Sequence, residues 1–402
     1  MSYRQSRHSL TKHLTRHIAR VSKSPLHPIY NLNSSPQRPL QLFKHHISLN
    51  TTPLTMNEEI KKIIEQVELA RKPASSVPWK PDTPHPQPVY GFDSTAQTWK
   101  ATADEQSQSD TTITKLALFS WNIDFMLPHA RPRMEAGLAE LRAHISALPR
   151  STAAVVFLQE CVPADLETIG STAWVRTGFR RTDVDAAFWA SDYYGTTTLV
   201  DRRLGVARVS RTHYALTRMD RDALFVDVVG PAARDGAGSG KDRKKGDARI
   251  IRFCNTHLES LALEPPYRPP QVALAAKFMR EEAIHGALLA GDLNAIQPFD
   301  RTLHSANGLR DAYLDLGGRE DSEAGYTWGQ QAPPAFREMY GCSRMDKVFY
   351  CGGVSVQKFD RFGADVQVVG ESEREDILRW GGFEKPWITD HLGVFVEVVI
   401  VD

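Results

Sequence analysis

Short apolar runs, most of them β-rich, recur along the chain from residue 113 onward and are separated by turns and by two amphipathic helices. Their length and their content of β-branched and aromatic residues predict strands. The runs are LALFSWNI (116–123), AAVVFLQE (153–160), GTTTLVDRR (195–203), ALFVDVVG (223–230), IIRFCNTHLES (250–260), GALLAGDLNA (286–295), MDKVFYCG (345–352) and LGVFVEVVIV (392–401). Residues 133–148 and 271–282 each place apolar side chains on one helical face. This mixture predicts one layered α/β domain with a large core.

The chain before residue 113 has a different pattern. Residues 57–72 predict one short helix with an apolar side. Residues 73–112 are rich in Pro, Ser, Thr and Gln, a composition that buries little and predicts a linker, from which Trp79, Tyr90 and Trp99 could dock. The predicted organisation is therefore a basic N-terminal targeting or disordered segment (1–55), a short helix with a linker (56–112) and the folded domain (113–402).

Charge is unevenly distributed, although the chain as a whole carries only +1, from 49 basic and 48 acidic residues. The first acidic residue is Glu58, and eight basic residues precede it; the remaining 345 residues carry 41 basic and 48 acidic side chains. An Arg/Ser-rich, acid-free N-terminus with helical apolar spacing predicts a mitochondrial transit peptide. The alternative is a disordered basic tail with a nuclear or cytoplasmic location, and Met56 offers a second start that would give dual targeting.

Two classes of protein are excluded by composition. No stretch approaches about 18 uninterrupted apolar residues, so no membrane-spanning helix is predicted. The four cysteines form no CxxC pair, which argues against a zinc site or a disulfide framework. Nucleic acid is not excluded, but an acidic domain would bind a polyanion through a local basic groove and a divalent ion rather than through its net charge.

Polar side chains collect at the ends of the apolar strands. They are Asn122 and Asp124, Gln159 and Glu160, Thr256 to Ser260, Asp292 and Asn294, Asp346, and Asp390 with His391. One polar strand end is unremarkable, but six on separate strands predict a shared site, because side chains converge there while the strand centres are buried.

The residue types in these clusters indicate the chemistry. The carboxylates are hard oxygen ligands, suited to Mg²⁺ or Mn²⁺ rather than to zinc. His257 and His391 can donate to an anionic oxygen or exchange protons near neutral pH, and Asn122 and Asn294 supply neutral donors. A divalent ion with such groups predicts phosphoryl transfer, in which positioning and charge neutralisation dominate.

The motifs that carry these residues resemble, in order, those of the endonuclease/exonuclease/phosphatase superfamily. They are SWNID (120–124), FLQE (157–160), NTHLES (255–260), AGDLNA (290–295), SRMDKVF (343–349) and TDHLGV (389–394). Within it, WNID, THLES and residues 217–221 and 326–328 are most similar to type-2 tyrosyl-DNA phosphodiesterases, which remove tyrosine-linked topoisomerase remnants from DNA 5′ ends. The resemblance implies a four-layered sandwich: two central mixed β-sheets packed face to face, flanked by helices, with the site at the top edge.

The resemblance also assigns roles around the metal and the attacking water. Glu160 would be the principal Mg²⁺ ligand (Mn²⁺ is the alternative ion), and Asp390 and Asn122 would complete or orient the metal sphere. Asp292 would position or deprotonate the water, with Asn294 holding the phosphate beside it. Water would attack a 5′-phosphodiester in line, without a covalent enzyme intermediate.

A second set of roles concerns the scissile phosphate. His391 would contact the scissile phosphate. Asp346 would set the tautomer of His391 by accepting a hydrogen bond from its other ring N–H. His257 and Ser260, or Glu259 in place of the serine, would bind the phosphate and organise that strand end. Whether Asp292 or His391 is the general base stays open.

Three further residues are expected to contact the substrate. Arg221 matches an arginine near the groove of the tyrosyl-DNA enzymes, Tyr194 matches an aromatic near the phosphate, and Trp328 offers a stacking surface. Each has a structural alternative: a surface turn for Arg221, a packed strand edge for Tyr194 and a core position for Trp328. Asp124 is expected to lie behind the metal ligands.

The chain departs from the tyrosyl-DNA enzymes at Leu293, Gly329 and Leu392, and in a glycine-rich insertion (230–247) that reads as a hairpin tip. These departures bear on the expected substrate groove rather than on the catalytic residues. The expected function is therefore a Mg²⁺-dependent phosphodiesterase acting as a monomer on DNA ends, with 5′-tyrosyl adducts the first choice.

Two alternatives remain open. One is an enzyme of the same superfamily that hydrolyses RNA or a small or lipid phosphoester, and the other is an inactive descendant that serves as a binding module. A lipid enzyme needs an apolar membrane-docking loop, for which residues 381–388 (GGFEKPWI) are the candidate.

Overall fold

Two β-sheets packed face to face form the centre of the protein in a computed structural model, which describes residues 62–63, 65–102, 109–230 and 249–402. The strands in these residues are β1 (His85–Pro86), β2 (Val89–Asp93), β3 (Thr98–Thr102), β4 (Lys115–Asn122), β5 (Thr152–Cys161), β6 (Phe179–Arg181), β7 (Gly195–Asp201), β8 (Val206–His213), β9 (Asp222–Val229), β10 (Ile250–Thr256), β11 (Gly286–Asp292), β12 (Arg310–Asp311), β13 (Asp346–Gly352), β14 (Val354–Phe362) and β15 (Gly393–Ile400). The α-helices are α1 (Ala130–Ser146), α2 (Pro163–Ser171), α3 (Ala173–Gly178), α4 (Arg268–Met279), α5 (Leu303–Ala306), α6 (Ala312–Asp315), α7 (Pro334–Tyr340) and α8 (Glu371–Gly381).

Both sheets are mixed. The first has seven strands in the order β1-β8-β9-β10-β11-β13-β12, and the second has eight in the order β14-β15-β4-β5-β7-β6-β2-β3. Within them, β4 pairs in parallel with β5, and β10 with β11, whereas the remaining pairs are antiparallel. A parallel pair needs a crossover connection, which α1 supplies for the first pair and α4 for the second.

Three hydrophobic cores hold the layers together. Between the sheets, Leu118, Phe157, Phe253 and Leu288 are almost fully buried. A second core packs α1 and α2 against the outer face of the eight-stranded sheet, and a third packs α4 against the outer face of the seven-stranded sheet. The four-layered sandwich implied by the sequence resemblance is thereby confirmed.

Residues 85–102, which lie within the segment expected to be a linker, form strands β1 to β3 and extend both sheets. Aromatic side chains explain the difference, because each gains contacts that overall composition does not reveal. Trp79 stacks on His213 with ring centroids 4.2 Å apart, and Trp99 donates from Nε1 to the carbonyl of Gly170 at 3.0 Å. The helix expected over 57–72 is described at residues 62–63 and 65–70, whereas residues 1–61 and most of the insertion after Gly230 lie outside the described residues.

The candidate membrane-docking loop at residues 381–388 is packed into the protein. Phe383, Trp387 and Ile388 are buried in the core beneath α8, and Trp387 donates from Nε1 to Asp365 Oδ1 at 2.9 Å. The apolar residues of this loop therefore serve packing, and the loop does not present the apolar surface that the lipid-enzyme alternative needs. Among the described residues, no helix is both long and apolar enough to cross a membrane.

His213 predicts a specific loss of stability in acid. Burial, reinforced by nearby cations, lowers its pKa to about 4, and neither ring nitrogen has a hydrogen-bond partner in the described structure. The unfolded chain, with a pKa of about 6.5, takes up a proton first, so stability is complete above pH 6.5 and declines as the pH falls towards 4. This one group should cost about 2 kcal/mol between pH 7 and pH 5.

His213→Phe keeps the stack on Trp79 but cannot titrate. Urea unfolding at pH 7 and at pH 5 should show a smaller acid-induced loss for this variant than for the wild-type chain. Identical losses in the two proteins would contradict the assignment.

Candidate active site at the strand ends

The polar strand ends of the two sheets meet at one edge of the sandwich. Asn122 ends β4 in one sheet, Asp292 ends β11 in the other, and the side-chain amide of Asn122 donates to Asp292 Oδ2 at 3.0 Å. Both residues are buried. This hydrogen bond joins residues 170 positions apart in the sequence and brings the strand-end groups of both sheets into one site.

The backbone at these strand ends takes conformations that aim the side chains inward. Glu160 lies at a β-bulge near the end of β5 with φ 58°, and Asn294 follows β11 with φ 47°. Positive φ is uncommon for residues other than glycine, and a bulge redirects the side chain that it carries. Gly291 has φ 151°, and a Cβ there would lie 1.7 Å from the carbonyl oxygen of Thr256, so only glycine fits before Asp292.

His391 lies between two carboxylates of this site. Its Nδ1 donates to Asp346 Oδ2 at 2.8 Å, and its Nε2 lies 3.7 Å from Asp292 Oδ2. Burial by itself would lower the pKa of His391, but the surrounding carboxylates outweigh burial and raise it well above its ordinary value. Burial likewise favours a higher pKa for Asp292, yet the two neighbouring histidines hold it below its usual range. The pair is therefore an imidazolium facing a carboxylate.

Asp292, Asp346 and His391 also lie close enough together to hold a metal ion, within 4.8 Å of one another. A protonated imidazole has no lone pair free for a metal, and Asp346 is already bonded to the ring. Burial raises the pKa of Asp346 to about 6. The trio is therefore a hydrogen-bonded pair, Asp346 and His391, whose free ring nitrogen faces Asp292 at 3.7 Å.

His257, on the opposite side of Asp292, is held in its neutral form. Arg221 Nη1 lies 2.6 Å from His257 Nδ1, and because a guanidinium can only donate, this contact assigns the ring proton to Nε2. Nε2 lies 3.3 Å from Asp292 Oδ2 and 3.7 Å from Glu160 Oε1. Burial, and then the charge of Arg221, lowers the pKa of His257. The ring is thus a neutral donor aimed into the site.

Three further carboxylates, those of Asp124, Glu160 and Asp390, lie near enough to affect one another's pKa values. Burial raises the pKa of Asp124 to about 8, with further contributions from Asp390 and Glu160, and burial also raises the pKa of Asp390. Glu160 accepts from the backbone amide of Phe125 at 3.0 Å. Such a cluster of oxygen donors fits a divalent cation of the Mg²⁺ type, which would relieve their repulsion. Glu160, Asp390 and Asn122 are the residues that would hold it.

Arg133 is a contributor that sequence reasoning did not single out. Its guanidinium is fully buried and donates to the carbonyls of Pro128 and Leu127 at 2.9 Å, of Ile388 at 2.8 Å and of Ile123. It therefore ties the loop after β4 to the loop before β15, and both loops carry site residues. The sequence feature that could have pointed to Arg133 is its place in the first turn of a predicted helix, where the helix dipole favours acidic residues over basic ones.

The predicted substrate residues have structural partners. Arg221 is buried rather than at a surface turn, with its guanidinium 5.6 Å from the ring centroid of Tyr194. Tyr194 stacks on Phe125 and donates its hydroxyl to the carbonyl of Met219. Trp328 is half-buried and donates from Nε1 to Asp390 Oδ2 at 2.6 Å. Each of the three side chains is therefore held by contacts with other residues of the protein.

Residues 259 and 260 separate into two roles. Glu259 is buried and accepts from Thr217 Oγ1 at 2.8 Å and from the amide of Arg218 at 3.1 Å, so it holds a loop. Ser260 is half-buried and makes no hydrogen bond within the described part of the chain. Asn294 donates its backbone N–H to Asp292 Oδ1 at 2.8 Å and its side-chain N–H to the carbonyl of Leu258 at 3.1 Å. The side-chain nitrogen of Asn294 also packs 3.0 Å from His257 Nε2, whose own N–H is directed to Asp292 Oδ2.

Residues 119–391, more than half of the chain, match the profile of the Endonuclease/Exonuclease/phosphatase family. The chain belongs to this family, whose members are phosphoester hydrolases. No curated protein matches the chain at a significant level.

Solved structures share the fold at low sequence identity. Truncated Caenorhabditis elegans TDP2 is 18% identical, over 71% of this chain and 97% of that one, with a TM-score of 0.50. D. rerio TDP2 complexed with single strand DNA product is 19% identical over 71% and 98%, with a TM-score of 0.49. The human Nocturnin catalytic domain with bound sulfate anion is 15% identical over 73% and 96%, with a TM-score of 0.47. At such identities the likeness concerns the fold alone.

Replacing Arg133 should destabilise the protein strongly. Arg133→Met leaves four carbonyls without their donor, and the expected loss is about 3–5 kcal/mol in the free energy of unfolding. The matched control is Arg131→Met on the same helix, because Arg131 is exposed and lies 3.7 Å from Glu167. That control should change stability by less than about 0.5 kcal/mol. Urea denaturation measures both, and equal losses would refute the role given to Arg133.

Proposed function

We propose that the chain is a Mg²⁺-dependent phosphodiesterase that cleaves phosphodiester bonds at DNA ends, with 5′-tyrosyl adducts as its substrate and Mn²⁺ as the alternative ion. The proposal rests on one observation, which is that the partly buried carboxylates of Glu160 and Asp390 lie beside His257 and His391, the two histidines that flank Asp292. One side of the site suits a cation, and the other suits the oxygens of a phosphate. The sequence resemblance supplies the choice of DNA ends.

The ion, held by Glu160, Asp390 and Asn122, would supply charge neutralisation at the phosphoryl oxygens. On the protein side, Asp292 is ionised and His391 already carries a proton, so Asp292 accepts the hydrogen of the attacking water. The water oxygen bonds to phosphorus as the bond from phosphorus to the tyrosine oxygen breaks, and this oxygen leaves as a phenolate that takes a proton from solvent. His391 donates from Nε2 to the phosphate, and Asp346 keeps that nitrogen aimed by holding Nδ1.

The other predicted residues serve this arrangement through their partners. Arg221 directs the Nε2–H of His257 towards the phosphate, and Trp328 orients Asp390. Leu293 and Leu392, at which the chain differs from the tyrosyl-DNA enzymes, are buried. Neither side chain is exposed in a groove where it could contact a substrate. These two differences therefore do not argue against a tyrosyl-DNA substrate.

Conservative substitutions separate metal binding from chemistry. Glu160→Gln should lower Mg²⁺-dependent cleavage by at least about 100-fold and should also remove the thermal stabilisation that Mg²⁺ gives, because a principal ligand loses its charge. Asp292→Asn should lose cleavage to a similar extent while keeping that stabilisation. Glu167→Gln, an exposed carboxylate on α2, is the control and should behave as wild type.

The substrate is tested on a panel of a 5′-tyrosyl oligonucleotide, abasic DNA, poly(A) RNA and a phosphoinositide. Each is incubated with Mg²⁺ and with EDTA. The 5′-tyrosyl oligonucleotide should be cleaved fastest, and only with Mg²⁺. Preferred cleavage of another member would replace the proposed substrate, and retained activity in both the Glu160 and the Asp292 variants would overturn the proposed mechanism.

We also propose that residues 1–55 direct the protein to mitochondria. The support is their Arg- and Ser-rich, acid-free composition. A fusion of residues 1–56 to a fluorescent reporter should colocalise with mitochondria. A nuclear or diffuse signal would favour the basic-tail alternative.

A further inference from the structure

Residues 70–79, here called the strap, precede the stretch that matches the family and lie against loops next to the site. Two backbone hydrogen bonds, from Lys72 to Ala190 and from Asp192 to Ala70, both 3.1 Å, attach the strap to the loop before Tyr194. At its far end, Trp79 stacks on a histidine of β8. The strap is therefore anchored at both ends.

At the first of these anchors, between Ala70 and Lys72, Arg71 reaches the loop that carries Arg221. Its Nε lies 2.9 Å from Asp220 Oδ1, and its Nη2 donates to the carbonyl of Arg218 at 2.8 Å. Asp220 has φ 56° and a side chain that is only 9% exposed. A buried carboxylate needs a partner of opposite charge, and Arg71 is that partner for Asp220. Asp220 directly precedes Arg221 in the sequence, so this ion pair is next to the residue that contacts His257.

The loop 216–221 is held from two sides. Glu259 bonds to Thr217 and to the amide of Arg218, and Gln271 donates to the carbonyl of Leu216 at 2.9 Å, so the first half is fixed from within the family-matched domain. In the second half, Thr217 Oγ1 accepts from the backbone amide of Arg221 at 3.0 Å, and Tyr194 donates its hydroxyl to the carbonyl of Met219. The carboxylate of Asp220 and the carbonyl of Arg218 are bound by Arg71. Arg71 is thus the charged side chain that the strap contributes to the loop.

We propose that Arg71 is a positioning residue of the active site, which fixes the loop 216–221 and through Arg221 keeps His257 oriented towards the phosphate. Arg71 contacts neither the proposed metal ligands nor His257 itself. This proposal rests on the proposed function for its effect on catalysis, but not for its effect on the loop. It makes a segment outside the family-matched region part of the catalytic unit.

The experiment compares Arg71→Met with two other variants. Arg71→Lys keeps the charge but can make only one of the two contacts. Lys80→Met removes a positive charge from an exposed position just after the strap and serves as the control. Arg71→Met leaves the carboxylate of Asp220, only 9% exposed, without its partner, so the urea unfolding midpoint should fall, and every variant is compared under conditions in which it is fully folded.

The first readout is amide hydrogen exchange of a peptide covering residues 217–221, which needs no substrate. Exchange should be faster in Arg71→Met, intermediate in Arg71→Lys and unchanged in Lys80→Met. Exchange in Arg71→Met equal to that of the control would overturn the proposal, whatever the activity of the chain.

The second readout is steady-state cleavage of the 5′-tyrosyl oligonucleotide. Arg71→Met should lower kcat by about tenfold with a smaller change in KM, because misplacement of His257 weakens mainly the transition state. Arg71→Lys should recover part of the loss. A double variant combines Arg71→Met with Asp220→Asn, because asparagine tolerates the positive φ at this position. Its kcat should be little lower than that of Arg71→Met alone, since both substitutions remove the same contact. Fully additive losses would overturn the proposal, whereas a wild-type chain that cleaves nothing on the panel would overturn only the proposed function.

Discussion

Mutually repelling carboxylates held together at a buried edge are the constraint on which the rest of this structure depends. Glu160, Asp390 and Asp124 are brought into one place, and burial with like-charge repulsion raises the pKa of Asp124 to about 8. Such an arrangement is costly unless packing enforces it and positive charge offsets it. The face-to-face sheets supply the packing, and the site divides into an acidic half that fits a cation and a half that contains His391 and His257, the latter held by Arg221.

Buried arginines carry much of this organisation. Arg133 binds carbonyls of two loops that bear site residues, and Arg221 sets the tautomer of His257. Arg133 works by geometry, because its fork of donors meets four carbonyls at once. These internal charges also explain how an acidic domain can handle an anionic substrate. The relevant field is local to the site, and net charge says little about it.

Much of the fold and of the site could be predicted from the sequence, because both depend on local patterns. Apolar runs with polar ends marked the strands, and the same ends contained Glu160, Asp292 and His391. Sequence reasoning missed the strands within residues 85–102, since their composition is that of a linker and single aromatic anchors decide their docking. Residues 381–388 could be named only as a candidate docking loop, because an apolar loop has the same composition whether it faces a membrane or a core.

The sequence by itself determined which groups end each strand and therefore which chemistry the site contains. Only the tertiary structure decided how these groups are used. Asn122 meets Asp292 across 170 positions, Trp328 turns to Asp390, and Arg221 becomes a buried partner of His257 instead of a surface residue. The physical reason is that a hydrogen bond and a pKa depend on distance and burial, and both arise only when two sheets distant in the sequence pack together.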